Sequence, residues 1–263
     1  MLNHSDTLRF YSNRIRNLQK EMRTHNLDII IINDDFSLRY FLGLKVISKI
    51  HLVIYSENIK TGNRAYFGAL IVPNLEYEKA KDELRDIQVE VVISEDRYSI
   101  NQAVEDLQEK YDFNVDKVGI DYSKITLSEF GNFCPLFSKI AQQSQINKDF
   151  GLLDGDSIEN IDDYILDMRA IKDDIELEYL KKAAEISDAV MNMAIESVQE
   201  GMTENDLAAF IEYNMKKRGS EEKSFDTIVA SGKNSWYPHA GATDKEIRKG
   251  DIITIDMGAI YKG

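Results

Sequence analysis

The chain has 263 residues, of which 43% are hydrophobic and 30% charged, with three prolines, a globular composition long enough for two ordinary domains. Its net charge of −14 argues against a nucleic-acid surface, which needs clustered Lys and Arg, and reads as a solvated, self-repelling exterior. The opening stretch "MLNHSDTLRFYSNRIRNLQK" has no apolar segment, and no run reaches the roughly 20 apolar residues of a membrane span. One cysteine, Cys134, cannot form an internal disulfide, so the expected setting is cytoplasmic. It sits in "NFCPLF" and is expected to be a buried, inert thiol.

Residues 7 to 25 place Leu8, Tyr11, Ile15, Leu18 and Met22 on one helical stripe. "LDIIIIN" follows, a β-branched run of the kind buried on both faces of a sheet. "DDFSLRYFLGL" reads as a short helix ended by Gly43, before strands at "IHLVIY" and "RAYFGALIV". A helix at "NLEYEKAKDEL", a strand at "VEVVIS" and a helix at "SINQAVEDLQEKY" come next, then a strand at "KVGIDY" and a helix at "TLSEFGNFCPLF". This alternation predicts a layered α/β domain with a largely parallel or mixed sheet. No Gly-rich phosphate loop is present, so nothing here speaks for a nucleotide.

The acidic, glycine-bearing stretch "DFGLLDGDSIENIDDY" reads as a domain boundary. Beyond it, "DDIELEYLKKAAEISDAVMNMAIESV" is the longest helical pattern, with Leu177, Leu180, Ala184, Met191, Ala194 and Val198 as its apolar positions. Asp173 and Asp174 favour its start and Gly201 its end, while Met191 and Met193 are expected to fill core. Thr203 and Asp206 form a capping-box pattern before "ENDLAAFIEYNMKKR", which Gly219 ends. "SFDTIVASG" and "DIITIDMGAIY" close the chain as strands around a loop with His239.

On the last strand, side-chain alternation puts Ile253, Ile255 and Met257 on one face and Ile252, Thr254, Asp256 and Gly258 on the other. A carboxylate among isoleucines needs a cation, donors or water. Asp256 therefore reads either as a turn-bonded residue near a strand end or as a ligand, with Gly258 leaving room for something to approach. His239 follows Pro238, 17 positions before Asp256. A loop histidine of this kind is either solvated or catalytic, and no local ligand pattern accompanies it.

The stretch "SFDTIVASGKNSWYPHAGATDKEIRKGDIITIDMGAIYKG" resembles the catalytic core of the M24 metallopeptidases, the pita-bread family of proline dipeptidases, Xaa-Pro aminopeptidases, methionine aminopeptidases and creatinases. "RAIKDDIELEYLKKAAEISDAV" and "MTENDLAAFIEYNMKKRG" are similar to the two helices that open that domain, and the part containing "SLRYFLGL" is similar to a creatinase/prolidase-type N-terminal domain. The resemblance implies an N-terminal α/β domain over residues 1–160 and the first half of a pita-bread α+β domain over 161–263. It implies Asp256 as the first metal-ligand aspartate and His239 as a substrate-facing histidine that does not ligate. A dinuclear divalent centre is expected, manganese first with cobalt or zinc as alternatives, acting on peptides with proline in the second position within a homodimer. Hard carboxylates suit Mn²⁺, and a single His ligand also admits Zn²⁺ or Co²⁺.

The family's remaining ligands fall beyond Gly263, so the chain is expected to be a C-terminally truncated fragment, inactive by itself. Its last strands are expected to leave open edges and an apolar face. The leading expectation is a metal-dependent Xaa-Pro peptidase. A creatinase-like C–N hydrolase and a non-catalytic M24-like binding module are the alternatives, because a fold does not fix a substrate.

Overall fold

Four consecutive isoleucines, Ile29–Ile32, form strand β1, and all four are buried. Successive side chains of a strand point to opposite faces, so such a run is satisfied only at the centre of a covered sheet. The computed structural model places it there. It describes residues 4–45, 49–62, 65–94, 100–133, 136 and 157–263; Cys134 lies outside them.

The elements of the first part run α1 (His4–His25), β1, α2 (Asp35–Leu42), β2 (His51–Tyr55), β3 (Gly68–Pro73), α3 (Asn74–Glu83), β4 (Val89–Ser94), α4 (Ile100–Tyr111) and β5 (Val118–Ile120), with helical turns again from residue 127. Strand β6 (Ile158–Asn160) and helix α5 (Asp162–Ala170) follow. The strand order is β4-β3-β2-β1-β5-β6. β2 is antiparallel to β1 and to β3, and the remaining neighbours are parallel, so the sheet is mixed.

Each face carries a core. Ile30, Ile32, Ile54 and Leu70 pack with Ile15, Leu18 and Met22 of α1, Phe41 of α2 and Ile165 of α5. Ile29, Ile31, Val53 and Ile71 pack with Val104 and Leu107 of α4 and with Phe133. The result is a three-layer α/β/α unit spanning residues 2–171. Helix ends follow the local chemistry: Asp34 accepts from the Ser37 N–H, and Gly43 caps α2 at φ +71°, donating to the Arg39 carbonyl.

Part of the acidic stretch read as a boundary is structured. β6 extends the sheet edge beside β5, and Glu159 on it receives Lys117 and the Tyr164 hydroxyl. Ile161, which caps α5, and Ile165 on its inner face are buried. A three-residue strand with one buried isoleucine, Ile158, leaves no alternation long enough to stand out from a linker.

The second unit spans residues 172–263. It contains α6 (Asp174–Ser197), α7 (Glu204–Lys217), β7 (Ile228–Ser231), a 3₁₀ turn (Gly232–Trp236) and β8 (Ile253–Asp256). Capping boxes start both helices, Asp173 with Glu176 and Thr203 with Asp206. Gly219 follows the α7 cap at φ +98°. Gly201 is not the helix-ending residue expected: α6 stops at Ser197 with Val198 as its cap, and Gly201 lies further on in the turn to α7.

The core stripe of α6 differs in part from expectation: Ala194 and Val198 pack in it as expected, the earlier positions do not. Ile186, Val190 and Ala194 join Leu207, Ile211 and Met215 of α7 and Val229 of β7. Leu177 and Leu180 are 42% and 54% exposed, and Met191 and Met193 are half-buried outside that core. Several apolar residues on α6 offer two overlapping stripes, and packing chooses between them. Among the described residues no helix is long and apolar enough to cross a membrane.

Candidate functional site

Strand β8 alternates as its sequence predicts. Ile253 and Ile255 turn inward, with Met257 beyond them, to pack on the helices, while Thr254 and Asp256 are exposed. β8 pairs antiparallel with β7, setting Asp256 opposite Ile228 and Ile253 opposite Ser231. The strands are shorter than their apolar runs suggest. Ser224 and Phe225, expected to extend β7, instead turn over the chain beyond β8, where Ser224 N–H donates to the Gly258 carbonyl.

That packing corrects the expectation of space at Gly258. A Cβ there would lie 2.1 Å from Ser224 Oγ and 3.1 Å from a Phe225 ring carbon. The glycine is needed for close approach of this chain's own side chains, not for a visitor's. The outer face of the ladder is open, with Ile252 76% exposed next to Thr254 and Asp256, and Trp236 and Tyr237 exposed in the adjoining loop.

The Asp256 carboxylate has no hydrogen-bond or ion-pair partner among the described residues. An uncommitted carboxylate on an open strand face is a hard oxygen donor of the kind divalent cations take. The fit to a metal ion is that of one ligand: among the described residues, no group of three or more His, Cys, Asp or Glu converges.

His239 is exposed, in a turn where the Ala240 N–H donates to the Tyr237 carbonyl at 3.3 Å. Its loop leaves the ladder at the Ser231/Ile253 end, whereas Asp256 stands at the other end, three residues or about 10 Å of strand away. No hydrogen bond or ion pair joins the two residues. The structure thus puts both on the β7–β8 unit without bringing them into contact.

The loop is held by a residue that sequence reasoning passed over. Glu204, the first residue of α7, is fully buried. Its Oε1 accepts from the Ser231 N–H at 2.7 Å and the Ser231 hydroxyl at 2.8 Å. Its Oε2 accepts from the Thr243 hydroxyl at 2.6 Å and the Thr243 N–H at 3.2 Å. Asn234 Nδ2 reaches both oxygens, at 3.1 and 3.0 Å. Burial pushes the carboxyl's pKa up, but the donors from Thr243, Ser231 and Asn234 outweigh it and hold the group below its ordinary range. One signal pointed to it. Asp206 already performs the capping role in this turn, which leaves Glu204 without a helix-end job.

Lys245 extends the network, donating to Ser231 Oγ at 2.7 Å and to Asp251 Oδ2 at 2.8 Å. Asp251 also accepts from the Arg248 N–H. Gly232, at φ +54°, opens the loop where a Cβ would sit 2.6 Å from Asp251 Oδ1, so only glycine suits both the backbone and the space.

Comparison with known proteins adds two family matches. The family described as "Creatinase/Prolidase N-terminal domain" matches residues 14–148, and "Metallopeptidase family M24" matches residues 178–263. The chain is 34% identical over 248 residues to the Xaa-Pro dipeptidase of Pyrococcus furiosus, covering 94% of this chain and 61% of that protein. Among solved structures it is similar to the prolidase from Pyrococcus furiosus, at 32% identity and a TM-score of 0.73, covering 94% of this chain and 66% of that one. The X-Pro aminopeptidase from Thermotoga maritima MSB8 matches at 30% identity and a TM-score of 0.68, over 92% of this chain and 61% of that one. The chain thus spans 61% of the length of that curated relative.

Proposed function

Because the chain belongs to the M24 metallopeptidase family, with a creatinase/prolidase-type N-terminal domain ahead of a partial pita-bread domain, we propose that the protein hydrolyses the bond preceding proline in Xaa-Pro peptides. The observation that carries this reading is the ordered pair of family matches in one chain. The likeness to an Xaa-Pro dipeptidase along 94% of the chain supports it. A homodimer and a cytoplasmic setting belong to the same reading.

In this reading Asp256 is one ligand of a dinuclear divalent centre, manganese first, and His239 contacts the substrate. When bound, such a pair supplies hydroxide near neutral pH and positive charge for the developing oxyanion. This chain's own contribution is placement. In this reading the β7–β8 ladder carries the carboxylate that faces the metal, and the loop between the two strands carries the imidazole. Asp256 is the one residue of the 263 assigned as a ligand in this reading, and the 263 residues by themselves are read as inactive.

Release of proline from Xaa-Pro dipeptides, assayed with added Mn²⁺ on the complete gene product, tests the proposal. Activity that disappears on chelation and returns with Mn²⁺ supports it. Hydrolysis of creatine without Xaa-Pro cleavage would replace it with a creatinase-type activity, and loss of both with a binding role. Mn²⁺-dependent cleavage by the mass-verified 263-residue chain would refute the inactivity of the chain alone.

A further inference from the structure

The loop of residues 232–242 leaves β7 after Ser231 and returns at Thr243. Both of those residues donate a backbone N–H and a hydroxyl to one buried carboxylate, that of Glu204. Asn234, inside the loop, bridges the same two oxygens. The return limb is tied to the α7 start a second time, through Asn205 N–H to the Thr243 carbonyl and Asn205 Nδ2 to Asp244 Oδ1. The middle of the loop lacks such anchors: Trp236 is 85% exposed, and His239 is exposed in a turn closed by one 3.3 Å hydrogen bond.

We infer that Glu204 is a positioning residue: its carboxylate clamps the two ends of the 232–242 loop together and thereby fixes where His239 stands. The catalytic consequence rests on the reading of His239 given above; the clamp itself rests on geometry. A charged acceptor surrounded by donors cannot be exchanged for an amide without turning one acceptor into a donor that faces other donors. Hydrogen bonds to charged groups are also the stronger ones. Lys245 Nζ to Ser231 Oγ and Asn234 Nδ2 to Thr243 Oγ1 also link the two limbs, but this carboxylate takes donors from both ends and from Asn234, so the effect of losing it is concentrated in the loop.

Hydrogen exchange on the intact chain tests the clamp. In Glu204→Gln, amides of residues 231–244 are expected to exchange about 10–100-fold faster, while peptides from α6 and from α7 beyond its first turn keep their protection. Thr243→Val removes one donor on the return limb without touching the helix, and serves if Glu204→Gln fails to fold. It is expected to accelerate the same segment by a smaller factor. Unchanged exchange in the loop would overturn the clamp. So would an even rise across α6, α7 and β7, which marks a merely structural residue.

A kinetic cycle on the complete gene product tests the link to His239. Glu204→Gln is expected to lower kcat in the parent background and to have little further effect once His239→Ala is present. Additive losses would overturn the link. Full turnover in His239→Ala would instead overturn the reading of His239, with local exchange still supporting the clamp.

Discussion

Asp256 and His239 are both exposed on the β7–β8 unit, and their chemistry separates them. On the function proposed above, Asp256 offers its unpaired carboxylate to a metal, so Asp256→Asn in the full-length protein is expected to weaken metal binding. His239→Ala is expected to keep metal content and lower turnover, as a contact made in the transition state does. Metal analysis of the purified variants checks this, and equal metal loss in both would remove the division of roles. In the first unit, Asp121 is 6% exposed and accepts from the Ser123 hydroxyl. Burial first, then the hydrogen bond and charge of Asp162, push its pKa up to about 6, while the charge of Asp34 acts in the same direction. A raised carboxyl favours the folded state while protonated. Its contribution is therefore complete below the unfolded value near 4 and lost as pH rises through about 6. Asp162 is held low by donors that outweigh its burial, so its own contribution is lost only at more acidic pH. Asp121→Asn is expected to flatten the decline between pH 4 and 7, gaining on the order of 1–2 kcal/mol relative to wild type at pH 7.5 over pH 4.5. Urea unfolding at the two pH values reads it out, and parallel pH dependence in the two proteins would dismiss the assignment.

Among the elements, α6 shows how much packing decides. Its start was legible from Asp173 and Asp174, which favour a helix N-terminus, and the structure adds a reciprocal cap between Asp173 and Glu176. Its inward face was not, because Leu177, Leu180 and Met191 compete with Ile186 and Val190 for the same helical period. The buried stripe is the one that meets α7 and β7. Ile186→Ala, at 3% exposure, is expected to cost about 2–5 kcal/mol, against less than about 0.5 kcal/mol for Leu180→Ala. Chemical denaturation of the intact chain compares them, and equal costs would mean that Leu180 is covered in solution. Strand β7 carries the same lesson in another form. "SFDTIVASG" reads as nine extended residues, yet four make the ladder, because Ser224 and Phe225 turn to fill the space over Gly258.

At the scale of the molecule, the chain divides into units of residues 2–171 and 172–263. The first has a six-stranded sheet with a core on each face, which is what independent folding requires. Residues 1–171 expressed alone are expected to unfold cooperatively and to resist limited proteolysis as one fragment; rapid digestion without a protected core would count against this. The amino-acid order by itself determined the local and periodic features. They include the doubly buried Ile29–Ile32 strand, the Thr203–Asp206 capping box, the glycine after Leu42, and the alternation that puts Asp256 on the open face. Each depends on residues a few positions apart, whose preferences act before any distant segment arrives. Only the tertiary structure decided that β6 joins the sheet edge, that Gly258 is filled by Ser224, and that Glu204 binds the loop. The Glu204 partners lie 27 and 39 positions away, and an acid at a helix start becomes a buried clamp only where those segments converge on it and supply the donors that its desolvation demands.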